Sequence, residues 1–163
     1  MRSVEPIQII GRGPEHDDWV ASLLTGRWGS THVVSGGRFH DALSLPGFVA
    51  VVSGENAGLI TYYVANGECE VVTMDSVVQG IGVGTALLAA VRSIALERKC
   101  ERLWLITTND NIDALRFYQK RGFRIFAVHR DAIEKSREMK PEIPLTGANG
   151  IPIRDEIELD IQL

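Results

Sequence analysis

The feature that most constrains the fold is the glycine-rich segment Gln79-Gly80-Ile81-Gly82-Val83-Gly84, because the hydrophobic pattern changes its period there. Before this segment, Asn66 and Gly67 separate two apolar runs, and an Asn-Gly pair in that position is a strong signal of an antiparallel hairpin. After it, apolar residues recur at helical spacing, at Leu87, Leu88, Val91, Ile94 and Ala95. The chain therefore passes from antiparallel strands into a helix, which predicts a mixed α and β fold.

The same patterns divide the rest of the chain. Strands are predicted at residues 5–11, 47–53, 58–65, 68–75, 102–107, 123–129 and 153–163. Helices are predicted at residues 14–24, 84–98 and 131–139, and another from capping residues at 109–111 to residue 121. Residues 26–37 are expected to form a loop or a short broken helix, and residues 141–152 a loop. The sequence thus predicts one α+β domain over residues 1–163, a mixed sheet with helices on its faces.

Composition limits the classes of function. The chain has 163 residues, 45% apolar and 23% charged, as in one globular domain. No run approaches the roughly 18 apolar residues of a membrane span, and residues 1–15 lack a signal-peptide core, so we expect a cytoplasmic protein without a membrane partner. The net charge of -4 argues against a nucleic-acid partner. Two cysteines without a Cys-x-x-Cys pair and four scattered histidines argue against a bound metal and indicate buried free thiols.

The glycine-rich segment is open to several interpretations. The first turn of a helix leaves about four N–H groups without partners, and glycines let the backbone approach a ligand, so one expected ligand is a phosphate or pyrophosphate. A tight turn between strand and helix would use the same glycines. A Walker loop is disfavoured because Gly84 is followed by Thr85, where that loop has lysine. A dinucleotide fingerprint is disfavoured by the glycine spacing and by the preceding hairpin.

Two motifs carry a family resemblance. Gln79, Gly82 and Gly84 match the pattern Gln/Arg-x-x-Gly-x-Gly/Ala. About 27 residues later comes a second motif, Asn111-x-x-Ala114-x-x-x-Tyr118-x-x-x-Gly122-Phe123. In this order and separation, the two motifs resemble those of the GCN5-related N-acetyltransferase (GNAT) family, over about residues 68–123. Residues 105–111 and the tail segment Arg137-x-x-Lys140-Pro141-x-Ile143-Pro144 resemble an uncharacterised bacterial branch of that family.

The resemblance implies a fold and a reaction. The fold is a twisted, mostly antiparallel sheet of about six to seven strands with about four helices and a splayed central pair of parallel strands. The reaction is transfer of an acetyl group from acetyl-CoA to a primary amine of a small molecule or peptide, by direct attack in a ternary complex. Family members often form homodimers, and the alternating final strand offers one edge for such a contact.

The resemblance also assigns the coenzyme contacts. The backbone of Val72, Thr73 and Met74 pairs with the coenzyme arm beside a β-bulge, and the Met74 N–H faces the thioester oxygen. Residues 80–85 (Gly80 to Thr85) surround the pyrophosphate, with Gln79 where the family more commonly has arginine.

The second motif supplies the remaining expected roles. Asn111 hydrogen-bonds the pantetheine arm, although it would also serve as a helix cap alone, and Ala114 is a further coenzyme contact. Tyr118 is the general acid for the departing thiolate, because a phenol with a pKa of about 10 stays protonated at pH 7.

The general base is the most open assignment. Glu70 and Glu68 share a face of the predicted strand, and Glu70 lies nearer to the expected position of the reacting carbonyl, so we favour it. Glu68, Asp75 and a water relay stay open. By the resemblance, the acceptor pocket is shaped by the segment that contains Trp28, His32, Phe39 and His40. A non-catalytic acyl-CoA-binding or regulatory domain is the alternative function.

Overall fold

A computed structural model describes residues 5–147 and 149–163, so residues 1–4 and Ala148 of the predicted domain lie outside it. The described part of the chain contains nine strands and four α-helices. The strands are β1 (Ile7–Gly11), β2 (His32–Ser35), β3 (Arg38–Asp41), β4 (Gly47–Val52), β5 (Glu55–Ala65), β6 (Glu68–Ser76), β7 (Arg102–Thr108), β8 (Arg124–His129) and β9 (Glu156–Gln162). The helices are α1 (Asp17–Trp28), α2 (Val83–Glu97), α3 (Ile112–Lys120) and α4 (Ala132–Met139).

Seven of these strands form one sheet in the order β1-β4-β5-β6-β7-β9-β8, and β2 and β3 form a separate hairpin. Only β6 and β7 are parallel among the described pairs, which confirms the predicted mostly antiparallel sheet. Their pairing ends at Val71 and Leu105, although β6 continues to Ser76 and β7 to Thr108. The two central strands therefore separate toward their carboxyl ends.

A β-bulge lies where this separation begins. On β5, Thr61 pairs with Thr73 and Tyr62 with Val71, so Val72 is an additional residue on β6. A bulge leaves the extra residue outside the regular ladder and bends its strand. The expected bulge beside Val72 is confirmed, and it turns the end of β6 away from β7.

Apolar side chains on both faces hold the sheet between helices. On one face, Leu87 and Val91 of α2 pack with Ile60 and Leu103 in a cluster that excludes solvent. On the other face, Val20 and Leu24 of α1 lie in a smaller cluster with Leu59. Complete burial of an aliphatic side chain stabilises the fold by about 1.5–3 kcal/mol, so these clusters fix both helices on the sheet. The sheet is thereby covered by a helix on each face.

Residues 26–37 differ from the loop or broken helix that their composition predicts. Helix α1 continues to Trp28 and ends at Gly29, whose φ is 82°. His32 then pairs with Asp41, and Ser35 with Arg38, around a turn at Gly36 and Gly37. Both turn glycines have positive φ, at 58° and 77°, a conformation typical of tight hairpin turns. The glycines that suggested a loop instead end a helix and close a hairpin.

The final strand also differs from its expected place. It begins at Glu156 rather than residue 153 and pairs with β7 on one side and β8 on the other. An interior strand has no free ladder, so β9 is not an edge at which a second chain could pair. The edge on this side is β8.

Arg137 and Lys140, in the tail segment, tie the C-terminal part of the chain to the rest of the fold. Arg137 donates hydrogen bonds to the carbonyls of Ile143, Pro144 and Ile153. Lys140 is buried, and its Nζ donates to the carbonyl of His32 at 2.8 Å. Burial lowers the pKa of Lys140, as expected for an ammonium removed from water. The tail therefore fixes the β2–β3 hairpin, which lies against the central strands.

Candidate active site

The separation of β6 and β7 opens a cleft of about 860 Å³. Its walls come from the ends of both strands, the glycine-rich segment, the start of α3 and the last turn of α1. Of the predicted coenzyme contacts, all except Ile81 line this cleft: Val72, Thr73, Met74, Gln79, Gly80, Gly82, Val83, Gly84, Thr85, Asn111 and Ala114. The structure thus brings together residues that lie up to about 40 positions apart in the chain.

The glycine-rich segment leads directly into α2. Gly82 caps the helix with φ 92°, and its carbonyl accepts the N–H of Ala86. The start of a helix presents unpaired N–H groups and the positive end of the helix dipole, which favours an anionic ligand. The side-chain amide of Gln79 does not point to such a ligand but donates to the carbonyl of Ser76 at 3.1 Å.

The absence of a side chain at Gly84 matters for packing rather than for backbone conformation, because its φ is not in the left-handed region. A Cβ atom at this position would lie 3.1 Å from the ring of Phe117 and 3.7 Å from the methyl carbon of Met74. The motif glycines thus have different physical functions, since Gly82 provides a left-handed turn and Gly84 allows α3 to approach α2.

Tyr118 projects from α3 into the same cleft. It is 6% exposed, and its ring packs edge-on against Phe117 and Phe123. Its hydroxyl donates to the thioether sulfur of Met74 at 3.7 Å. Burial raises the pKa of Tyr118, and the negative charge of Asp75 raises it further. The phenol therefore stays protonated and has a sulfur atom as its hydrogen-bond acceptor.

Asn111 caps α3, with its side-chain oxygen accepting the N–H of Ala114 at 3.2 Å. The capping interpretation is therefore confirmed. Both residues also line the cleft, so the predicted contact with a pantetheine arm stays a prediction.

The acidic residues of β6 fall into two different environments. Glu70 is 3% exposed, accepts the hydroxyl of Ser35 at 2.7 Å and lies 3.6 Å from His40 Nε2. It lines a separate cavity of about 160 Å³ together with Glu68, outside the larger cleft. Asp75 lines the larger cleft. The structure places Tyr118 with Asp75 rather than with Glu70, and a catalytic role for Glu70 stays a prediction.

The segment expected to shape an acceptor pocket is likewise divided. Trp28 lines the cleft, and its indole N–H donates to Asp75 at 3.1 Å. His32 and Phe39 stack on each other across the β2–β3 hairpin, with ring centroids 4.8 Å apart. His40 is 5% exposed and faces Glu70, so Trp28 is the member of the set that reaches the cleft.

Two arginines of the cleft carry no recognisable sequence signal. Arg121 donates to the hydroxyl of Thr85 at 2.9 Å, and its guanidinium lies 3.6 Å from the centroid of the Phe117 ring. Arg27 donates to the carbonyl of Ser76 at 3.1 Å. Each is a basic residue near a helix end, which is common in any helix. Only the tertiary structure shows that both line the cleft.

Comparison with known proteins agrees with this geometry. The model of the family described as "Acetyltransferase (GNAT) family" matches residues 16–123. The chain belongs to the GNAT family. The uncharacterised Bacillus subtilis proteins YdhI and YxbD are 47% and 43% identical to this GNAT chain, over 85% and 87% of its length. The alignments cover 87% of YdhI and 90% of YxbD, which confirms the resemblance to an uncharacterised bacterial branch.

Solved structures show the same fold. An IAA acetyltransferase from Bacillus cereus superposes with a TM-score of 0.73 at 24% identity, covering 97% of this GNAT chain and 100% of its own. A Bacillus subtilis acetyltransferase in complex with CoA superposes with a TM-score of 0.68 at 20% identity, covering 98% of this chain and 99% of its own. A GNAT acetyltransferase from Elizabethkingia anophelis with acetyl-CoA bound superposes with a TM-score of 0.69 at 21% identity, covering 96% of this chain and 98% of its own.

Two other features are absent from the described residues. No helix in the described ranges is long and apolar enough to cross a membrane. Residues 5–147 and 149–163 also contain no group of three or more His, Cys, Asp or Glu side chains arranged to hold a metal ion.

Proposed function

We propose that this GNAT chain is an N-acetyltransferase that moves the acetyl group of acetyl-CoA to a primary amine, by direct attack in a ternary complex. Residues 1–163 act as one acetyltransferase domain, and the place of action is the cytoplasm. The acceptor is a small molecule or a peptide amine. The observation that carries the proposal is the buried Tyr118 hydroxyl, which donates to a sulfur atom inside a cleft that begins at the glycine-rich start of α2.

The coenzyme side of the cleft fits the ligand at both ends. The helix start at Gly82 offers N–H groups to a pyrophosphate. Arg121 adds a cation beside Thr85, where Gln79 supplies no charge. Beyond the bulge at Val72, the backbone of β6 is free of β7 and can pair with a pantetheine amide. Two of the similar structures contain CoA or acetyl-CoA, which supports the choice of coenzyme.

The chemistry follows from the position of Tyr118. A neutral amine attacks the thioester carbonyl, the C–N bond forms, and the C–S bond then breaks to release a thiolate. The nitrogen gives up its excess proton, which returns to the Tyr118 oxygen after that phenol has protonated the sulfur. The Met74 N–H stabilises the carbonyl oxygen as its negative charge develops. Tyr118 gives its proton to the departing sulfur; its present hydrogen bond to the Met74 sulfur, in the same cleft, supports this role.

The test combines coenzyme binding with turnover. Acetyl-CoA should raise the melting temperature of the purified protein, and free CoA should be released with at least one member of a panel of polyamines, amino acids, aminoglycosides and peptide N-termini. The Tyr118→Phe variant should lower kcat by about 10²-fold or more, as for loss of a general acid, with the Kd for acetyl-CoA changed less than about twofold.

The matched control is Tyr62→Phe, which removes another buried hydroxyl outside the cleft. This variant should keep its kcat. If the protein binds the coenzyme but releases CoA with none of the amines, the non-catalytic domain is favoured. If coenzyme affinity collapses in Tyr118→Phe, Tyr118 is structural.

A further inference from the structure

The cleft joins the two faces of the sheet. Successive side chains of a strand point to opposite faces, so Met74 and Asp75 of β6 diverge. Met74 contacts Tyr118 of α3, whereas Asp75 contacts Trp28 of α1. All four residues nevertheless line one cleft, because β6 and β7 have separated at this level. A thioester reaching Tyr118 from the α3 side and an amine entering from the α1 side would therefore meet between the strands.

Asp75 is the acidic residue on the α1 side of this passage. The residue is 5% exposed, and its Oδ2 accepts the Trp28 indole N–H at 3.1 Å. Oδ1 lies 3.9 Å from Arg27 Nη1, beyond hydrogen-bond distance. A carboxylate can accept about four hydrogen bonds. Among the described residues, the Asp75 carboxylate thus has one hydrogen-bond donor and unused acceptor capacity, and Asp75 lines the cleft.

Glu70 is in the opposite situation. It accepts the Ser35 hydroxyl and faces His40, and the β2–β3 hairpin that carries both residues covers it. Its cavity lies on the part of β6 that is still paired with β7, since Glu70 pairs with Trp104 before the separation begins. A proton taken by Glu70 would have to come from outside the cleft that contains Tyr118.

We propose that Asp75, rather than Glu70, is the carboxylate that binds the acceptor ammonium and takes its proton; this rests on the proposed acetyl transfer. The ammonium gives one proton to the Asp75 carboxylate, and the freed lone pair forms the C–N bond. The C–S bond breaks, and the sulfur takes the Tyr118 proton. The second excess proton on nitrogen returns to the Tyr118 oxygen, and Asp75 passes its proton to solvent. The products are an amide, CoA thiol and one proton.

The surroundings of Asp75 suit this step. Burial raises its pKa, and the Trp28 hydrogen bond and the Arg27 charge partly oppose that rise. On the α3 side, the negative charge of Asp75 raises the pKa of the Tyr118 phenol. A carboxyl with a raised pKa accepts a proton from an ammonium more readily. The indole of Trp28, 46% exposed, gives the incoming cation an aromatic surface beside the carboxylate.

The experiment measures kcat against pH with acetyl-CoA and the amine that releases CoA fastest. The wild type should lose activity toward acid pH as Asp75 becomes protonated. In Asp75→Asn, kcat should fall by about 100-fold or more, the acid limb should disappear, and the Kd for acetyl-CoA should stay within about twofold. Glu70→Gln should keep the acid limb and lose less than about tenfold in kcat.

Trp28→Phe separates a chemical role from a structural one. It keeps an aromatic ring but removes the N–H that lowers the pKa of Asp75, so its acid limb should move to higher pH. The assignment to Asp75 would be overturned if kcat fell more in Glu70→Gln than in Asp75→Asn, or if Asp75→Asn kept the acid limb of the wild type. In either case, turnover by the wild type would leave the proposed function intact. No CoA release by the wild type with any amine would overturn the proposed function and this assignment with it.

Discussion

Gly82 allows the coenzyme loop to be tested separately from folding. Its φ is 92°, and a Cβ atom placed there would have one heavy atom within 4 Å, Ile7 Cδ1 at 3.9 Å. A side chain at this position therefore meets no clash and costs only the left-handed backbone, about 1–2 kcal/mol. For a domain of this size, that corresponds to a fall in melting temperature of about 2–8 °C. Gly82→Glu should consequently still fold.

The expected effect on binding is larger. If the proposed coenzyme binds, acetyl-CoA at 100 times its Kd should stabilise the wild type by about 2.7 kcal/mol, a rise in melting temperature of about 5–11 °C. In Gly82→Glu, a carboxylate at the start of α2 would occupy the space and repel the charge of the pyrophosphate. The temperature rise should therefore disappear, as measured by differential scanning fluorimetry over a coenzyme titration.

Gly54 provides the matched control. Its φ is 76°, a Cβ atom there meets nothing within 4 Å, and it lies in the turn between β4 and β5. Gly54→Glu thus has the same backbone strain and the same change in charge, outside the cleft. It should melt lower than the wild type and keep the full rise with acetyl-CoA. An equal rise in Gly82→Glu would refute the assignment of the loop to the coenzyme.

The remaining predictions concern one binding contact and one structural contact. Arg121→Gln should weaken acetyl-CoA binding about tenfold, which is about 1.4 kcal/mol, and should reduce its salt dependence in calorimetric titrations; unchanged affinity at low salt would show that Arg121 only supports Thr85. Asn109→Ala loses three hydrogen bonds of 2.9–3.0 Å to Pro152, Arg154 and Asp155, so the free energy of unfolding in urea should fall by about 2–3 kcal/mol. Asn149→Ala, which loses one bond of 3.3 Å, should change it by less than about 1 kcal/mol, and equal losses would contradict the special role of Asn109.

Periodicity predicted the elements that dominate the fold. Helix α2 was expected at residues 84–98 and lies at Val83–Glu97, and the Asn66-Gly67 turn joins β5 to β6 as expected. These elements have long apolar patterns or a distinctive turn, so local physics determines them. The β2–β3 hairpin was missed because each strand has four residues, and its position depends on tertiary contacts such as the Lys140 hydrogen bond.

Only part of the candidate site could be expected before the structure was known. The glycine-rich segment and Tyr118 were expected at one site only through the family resemblance, because glycine spacing alone fits several kinds of turn; the structure places them in one cleft, and their roles stay predictions. The environments of the acidic residues do not follow from spacing. The bulge at Val72 shifts the register of β6 between Glu70 and Asp75, and only the separation of β6 from β7 shows which carboxylate faces the cleft.

The thioether of Met74 has a consequence for observing the binding step. Its sulfur accepts the Tyr118 hydroxyl, and its methyl carbon lies 3.7 Å from the point that a Cβ atom of Gly84 would occupy, so one side chain lies near both Tyr118 and the glycine-rich segment. On the proposed mechanism, a coenzyme sulfur that takes the Tyr118 hydrogen bond would replace Met74 as its acceptor, so the phenol would exchange one sulfur partner for another. With three methionines in the chain, ¹³C-methyl labelling should show this exchange as a shift of a single resonance.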